Sequence, residues 1–117
     1  MQIYNLIRRL VWSPNSDNQK EAAKDLVEFF KVLEGELGRK PYFGGQRFGF
    51  VDVALVPFYG YFYTYETFGN FSFARECPML VQWGERCLQR ESVSKNLPDP
   101  YKAYEFVLEH RKKLGIE

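Results

Sequence analysis

The stretch "GFVDVALVPFYGYFYTYETFGNF", Gly49 to Phe71, carries nine of the chain's 21 aromatic residues. Val51, Ala54, Leu55, Phe58, Tyr61, Phe62, Tyr65 and Phe68 recur at three- and four-residue steps, and Val56, Tyr59 and Tyr63 form a second stripe. That period is helical. A helix that is apolar on more than one side belongs at the centre of a bundle. Gly49 can cap its start, with Asp52 three residues on; a carboxylate there accepts the cap N–H and faces the positive helix end. Asp52 therefore reads as a structural cap and not as a catalytic acid. Pro57 lacks an N–H and bends the helix. The hydroxyls of Tyr59, Tyr61, Tyr63 and Tyr65 each need a partner in a dry core, so the rings divide between core and cavity wall. Phe58, Phe62 and Phe68 read as core, and the pattern alone leaves both roles open for the tyrosines.

The flanking sequence is helical too. "QIYNLIRRLVW" puts Ile3, Ile7, Leu10 and Val11 on one side, but no capping residue precedes it, so it reads as a cut first helix. Ser16 with Gln19, or Asn18 with Glu21, makes a capping box. Next comes a stripe of Ala22, Ala23, Leu26, Val27, Phe30, Leu33 and Leu37, closed by Gly38. Pro78 suits the first position of "PMLVQWGERCLQR", with Leu80, Trp83 and Leu88 in the core. Asp99-Pro100 opens "PYKAYEFVLEHRKKLG", which is expected to bury Ala103, Phe106, Val107 and Leu114. The sum is an all-α bundle of five to six helices, one domain over 1–117.

Composition narrows the function. Sixteen Lys+Arg against 15 Asp+Glu give a formal charge of +1, without the basic excess of a nucleic-acid binder. "HRKKLG" instead complements the end of the last helix. Cys77 and Cys87 lie about 15 Å apart along one helix, beyond disulfide reach, and read as reduced thiols. A single histidine and no thiol cluster argue against a metal site. No apolar run approaches the ~20 residues of a membrane span, and the start has no signal-peptide pattern. A cytoplasmic protein is expected. No phosphate-binding loop, dinucleotide fingerprint, zinc-protease or nucleophile-elbow motif occurs. His110 and Cys77 have no visible catalytic partner and read as structural.

"EGELGRKPYFGGQRFGFVDVALVPF", "YETFGNF", "ECPMLVQW", "CLQRESVSKNLPD" and "YEFVLEHRKKLGIE" together resemble the C-terminal domain of plant tau-class glutathione transferases. The resemblance runs from about Lys20 to Glu117 and is looser over "IYNLIRRLVW". It implies a dimeric enzyme whose thioredoxin-like domain, outside this chain, binds glutathione as co-substrate and activates its thiol with a serine. The helical domain then supplies the pocket for a hydrophobic electrophile. Carried over by position, Tyr4 and Arg8 on the first helix, Tyr61 on the central helix, and Phe106 and His110 on the last match the family's pocket residues. Because the loop after the first helix differs in length, Arg9 rivals Arg8, and Trp12 stands for a pocket tryptophan. The resemblance assigns no catalytic residue and no cofactor to this chain.

Overall fold

The structure, a computed structural model, describes residues 2–13 and 16–116. The described residues form helices α1 (Gln2–Val11), α2 (Ser16–Leu37), α3 (Phe50–Tyr59), α4 (Phe62–Gly69), α5 (Phe73–Glu76), α6 (Pro78–Leu88), α7 (Glu91–Ser94) and α8 (Pro100–Lys113). An isolated bridge, Tyr42 to Gly45, is the sole β-type pairing among them. The all-α class stands. The count exceeds five to six because α5 and α7 are single turns and the aromatic helix is interrupted. No described helix is long and apolar enough to cross a membrane.

α1 lies along α2, burying Ile3, Leu6, Leu10 and Val11 against Ala22, Ala23, Leu26 and Phe30. Leu6 joins the expected stripe because residues three and four apart share a helical face. The Ser16 capping side chain lies outside the described residues. Asn18 is already inside α2 and so does not open it. Gln19 works on the neighbouring helix instead. Its side-chain amide donates to the Leu10 carbonyl at 2.9 Å, satisfying one of the open carbonyls at the end of α1. α2 stops at Gly38, whose φ of +58° suits a residue without Cβ.

Gly49 is the N-cap of α3. Its N–H donates to Asp52 Oδ2 at 2.9 Å. The other oxygen, Oδ1, accepts the Phe43 N–H at 2.9 Å and the Trp83 indole N–H at 2.8 Å. Asp52 is fully buried, so one carboxylate joins the Tyr42–Gly45 turn, the start of α3 and the middle of α6.

The expected bent helix is two helices. Pro57 withholds an N–H from the preceding turn, and three residues later the ladder changes. Gly60 and Tyr61 donate to Pro57 and Phe58 at 3.2 and 3.0 Å, the three-residue reach of a 3₁₀ turn. Tyr61, with φ −108° and ψ 8°, stands outside both helices and caps α4. α4 ends at Asn70 in the left-handed region, φ 54°, where asparagine is tolerated.

The core centres on Phe30, Phe62 and Phe73: Phe62 stacks on Phe73 at 3.8 Å, and Phe30 meets both edge-on at 5.3 Å. Phe58 and Phe68 are only half-buried. Asp99 Oδ1 caps α8, accepting from Tyr101 and Lys102 at 2.9 and 3.2 Å. The buried row of α8 is Ala103, Val107 and Arg111. Phe106 and Leu114 face outward, 57% and 64% exposed, and Leu88 of α6 is 38% exposed, against expectation. For Phe106 and Leu114 the reason lies in α8's rotation: Arg111 takes the inward place, donating to the carbonyls of Val11 and Ser13. Its guanidinium also covers the Phe68 ring at 4.9 Å.

Candidate functional site

Where α3 gives way to α4, a cleft of about 410 Å³ opens between them, α1 and α8. α1 contributes Tyr4, Ile7 and Val11, followed by Trp12; the α3–α4 break contributes Ala54, Pro57, Phe58, Tyr61, Thr64 and Tyr65; α8 contributes Phe106 and Val107. Tyr61, the cap of α4, lies one turn before Tyr65 on the same helical face, the rings stacked at 6.5 Å. Tyr4 leans on Phe58 at 5.8 Å. The Trp12 backbone N–H donates to the Arg8 carbonyl at 2.9 Å, and the Arg111 bonds grip the carbonyls on either side of it.

Four of the six residues singled out by sequence, Tyr4, Trp12, Tyr61 and Phe106, line this cleft. His110 stands behind the rim, 4.6 Å from the Phe106 ring and 6.1 Å from Trp12. Arg8 does not reach the cleft: its guanidinium turns back to Asn5 Oδ1 at 2.8 Å. Arg9 is held by Asp25 at 3.5 Å, which joins α1 to α2. Sequence reasoning missed eight lining residues, Ile7, Val11, Ala54, Pro57, Phe58, Thr64, Tyr65 and Val107, with Phe58 and Val107 read as core. The first could have been found from the i, i+3 relation with Tyr4; Thr64 gave no signal.

The chemistry of the lining is simple. Rings and aliphatic groups dominate, and the polar groups are hydroxyls and one indole N–H. Burial pushes the Tyr65 phenol up, with the Tyr61 and Tyr4 phenols adding to the effect, so it stays protonated and can only donate or accept hydrogen bonds. Cys77 and Cys87 lie outside the cleft and are buried. Burial raises their thiols to about 11 and about 12, which keeps them protonated and poorly nucleophilic at neutral pH. Such a lining suits an apolar molecule.

Two other surfaces stand out. A groove of about 620 Å³ runs past Tyr59, Tyr63, Leu97 and Pro98 and contains no sequence-predicted residue. The first turn of α3 leaves Phe50 87%, Val51 48% and Val53 53% exposed.

A capped, proline-interrupted central helix stands beside this apolar cleft. The family model described as glutathione S-transferase, C-terminal domain, matches residues 4–91, and the chain belongs to this family. Among its relatives is the probable glutathione S-transferase parC of Nicotiana tabacum, 55% identical over 99% of this chain and 52% of that protein. Glutathione S-transferase U25 of Arabidopsis thaliana is 53% identical over 93% of this chain and 49% of its own length. The crystal structure of rice GST1 in complex with glutathione superposes with a TM-score of 0.88 at 43% identity, covering 93% of this chain and 50% of that one. These are relatives of the plant tau class. The chain spans about half the length of the curated relatives it matches.

Proposed function

We propose that this chain is the electrophile-binding half of a glutathione transferase and that the cleft beside Tyr61 holds the electrophile. The observation that carries this reading is the apolar cleft itself, lined by four residues assigned by family position. Its wall supplies contact area and a few hydroxyls, while activation of the glutathione thiol belongs to a thioredoxin-like domain with its serine. In the whole enzyme, glutathione is the co-substrate, the assembly is a homodimer, and the location is cytoplasmic. Within the cleft, Tyr4, Trp12, Tyr61 and Phe106 contact the electrophile, and His110 buttresses Trp12 and Phe106 from behind.

The test is binding without turnover. Purified chain is expected to bind an arene such as 1-chloro-2,4-dinitrobenzene, with quenching of Trp12 fluorescence and weakened binding in Tyr61→Ala. It is expected to add nothing to the rate at which glutathione alone reacts with that compound. Conjugation by the purified chain above the uncatalysed rate would overturn the division of labour; undiminished binding by Tyr61→Ala would overturn the site.

A second reading, a non-catalytic module for ligand binding or dimerisation, draws on the exposed Phe50, Val51 and Val53. Contiguous apolar surface of this kind marks a docking face. The whole-enzyme reading assigns it to the thioredoxin-like domain. Restoration of conjugating activity when that domain is supplied in trans separates the two readings.

A further inference from the structure

One hydroxyl of the cleft is out of keeping with its surroundings. Thr64 is 1% exposed and lines the cleft between Tyr61 and Tyr65, yet its Oγ1 has no hydrogen-bond partner among the described residues. A buried hydroxyl is ordinarily paired, because desolvation without compensation is unfavourable. A helical threonine also has a local fallback, the carbonyl four residues back. Thr67 uses it, donating to the Tyr63 carbonyl at 2.8 Å. For Thr64 the corresponding carbonyl belongs to Gly60, at the break between α3 and α4, and that bond is not made. Beside this irregular turn Thr64 is left without its usual partner. A single rotation about χ1, between the two rotamers open to a helical threonine, turns the hydroxyl by about 120°. The hydroxyl can therefore be presented to the cavity that the residue already lines.

We infer that Thr64 is the polar specificity determinant of the cleft, donating one hydrogen bond to an acceptor oxygen on an otherwise apolar aromatic ligand. The inference rests on the cleft being the ligand site, as proposed above. An acceptor is favoured because the lining holds no carboxylate, amide or cationic side chain; its polar side-chain groups are hydroxyls and the Trp12 N–H, all capable of donating. The ligand class is aromatic compounds bearing a carbonyl or nitro oxygen, and the fully hydrocarbon analogue lacks the interaction.

The experiment compares 2-acetonaphthone with its near-isostere 2-isopropylnaphthalene, binding each to the full chain by equilibrium dialysis. Thr64→Val keeps the shape and removes the hydroxyl; Thr64→Ser keeps the hydroxyl. Thr64→Val is expected to weaken the ketone about 5- to 10-fold, the worth of one net hydrogen bond. The hydrocarbon should stay within about twofold, because its contacts are apolar and an apolar group of the same shape replaces the hydroxyl. Thr64→Ser should retain the preference for the ketone, and Thr64→Val should be at least as stable as the parent chain because an unpaired buried hydroxyl has been replaced. Unchanged ketone affinity in Thr64→Val overturns the inference. So does a destabilised Thr64→Val in which both ligands weaken alike, since the hydroxyl would then be structural. If neither ligand binds the parent chain, or both bind Tyr61→Ala undiminished, the cleft reading itself falls and takes this inference with it.

Discussion

Replacing Asp52 by alanine tests the joint on which the central helix rests. Its two oxygens accept three N–H groups, from Gly49, Phe43 and Trp83, at 2.8–2.9 Å, and the side chain is fully buried. The Trp83 indole is buried as well, so its stranded N–H carries the full desolvation penalty, about 1–3 kcal/mol. The Gly49 and Phe43 amides are half-buried and partly recover through water; each loss resembles that of a helix cap, about 1 kcal/mol. The three share one acceptor group and are not strictly additive. Together they give a loss of roughly 3–5 kcal/mol, a large part of the roughly 5–15 kcal/mol typical of a folded domain. Asp52→Asn keeps one carbonyl oxygen but turns an NH₂ toward at least one donor, so it should lose about 1.5–3 kcal/mol, the worth of one bond to a charged group. Urea unfolding followed by Trp83 emission and by far-ultraviolet circular dichroism measures both. The reasoning fails if Asp52→Ala loses less than about 1 kcal/mol, the worth of one ordinary hydrogen bond, or if the asparagine variant is as damaged as the alanine one.

Other expectations follow from packing and burial. A Cβ at Gly84 would sit 2.2 Å from the Tyr59 ring. Gly84→Ala should therefore lower stability by about 1–3 kcal/mol despite alanine's better helix propensity; a raised melting temperature would contradict it. The folded-state thiols of Cys77 and Cys87 lie at about 11 and about 12, raised by burial from the ordinary 9.0. Between about pH 9 and about pH 12 the unfolded chain sheds those protons while the folded one keeps them, so stability is level below that window and falls within it. Urea midpoints at about pH 8 and about pH 11 should show a smaller alkaline fall in Cys87→Ala than in the parent chain, and an equal fall would refute the assignment.

Much of this protein is legible in the sequence because the deciding interactions are local. Gly38, Pro78 and the Asp99-Pro100 pair act through their own backbone preferences within a few residues. Asn70 ends α4 in the same local way, yet asparagine is a weaker terminator signal than glycine and does not announce itself. The stripes of α1 and α2 follow from the helical period and the need to bury apolar surface. Gly49 with Asp52 is readable as a cap, a three-residue relation. What lies beyond reach is the rest of that carboxylate's work, since Phe43 and Trp83 stand 9 and 31 residues away.

α8 shows the boundary most clearly. Its periodicity allows Phe106 and Leu114 to face inward as readily as Ala103 and Val107, and hydrophobicity favours the phenylalanine. The fold chose the row containing Arg111 because open carbonyls at Val11 and Ser13 and the Phe68 ring offered its guanidinium partners. The two carbonyls lie 100 and 98 residues away along the chain. That rotation leaves Phe106 at the cleft and His110 behind it.

The sequence by itself determined an all-helical bundle, the caps at Gly49-Asp52 and Asp99, its reduced thiols and its resemblance to the tau-class helical domain. Only the tertiary structure decided which rings face the cleft and that Arg8 turns away from it. The physical reason is range. Capping and periodicity are fixed by neighbours along the chain, whereas the wall of a cavity is fixed by which helices meet across it and by how each is rotated to satisfy its buried polar groups.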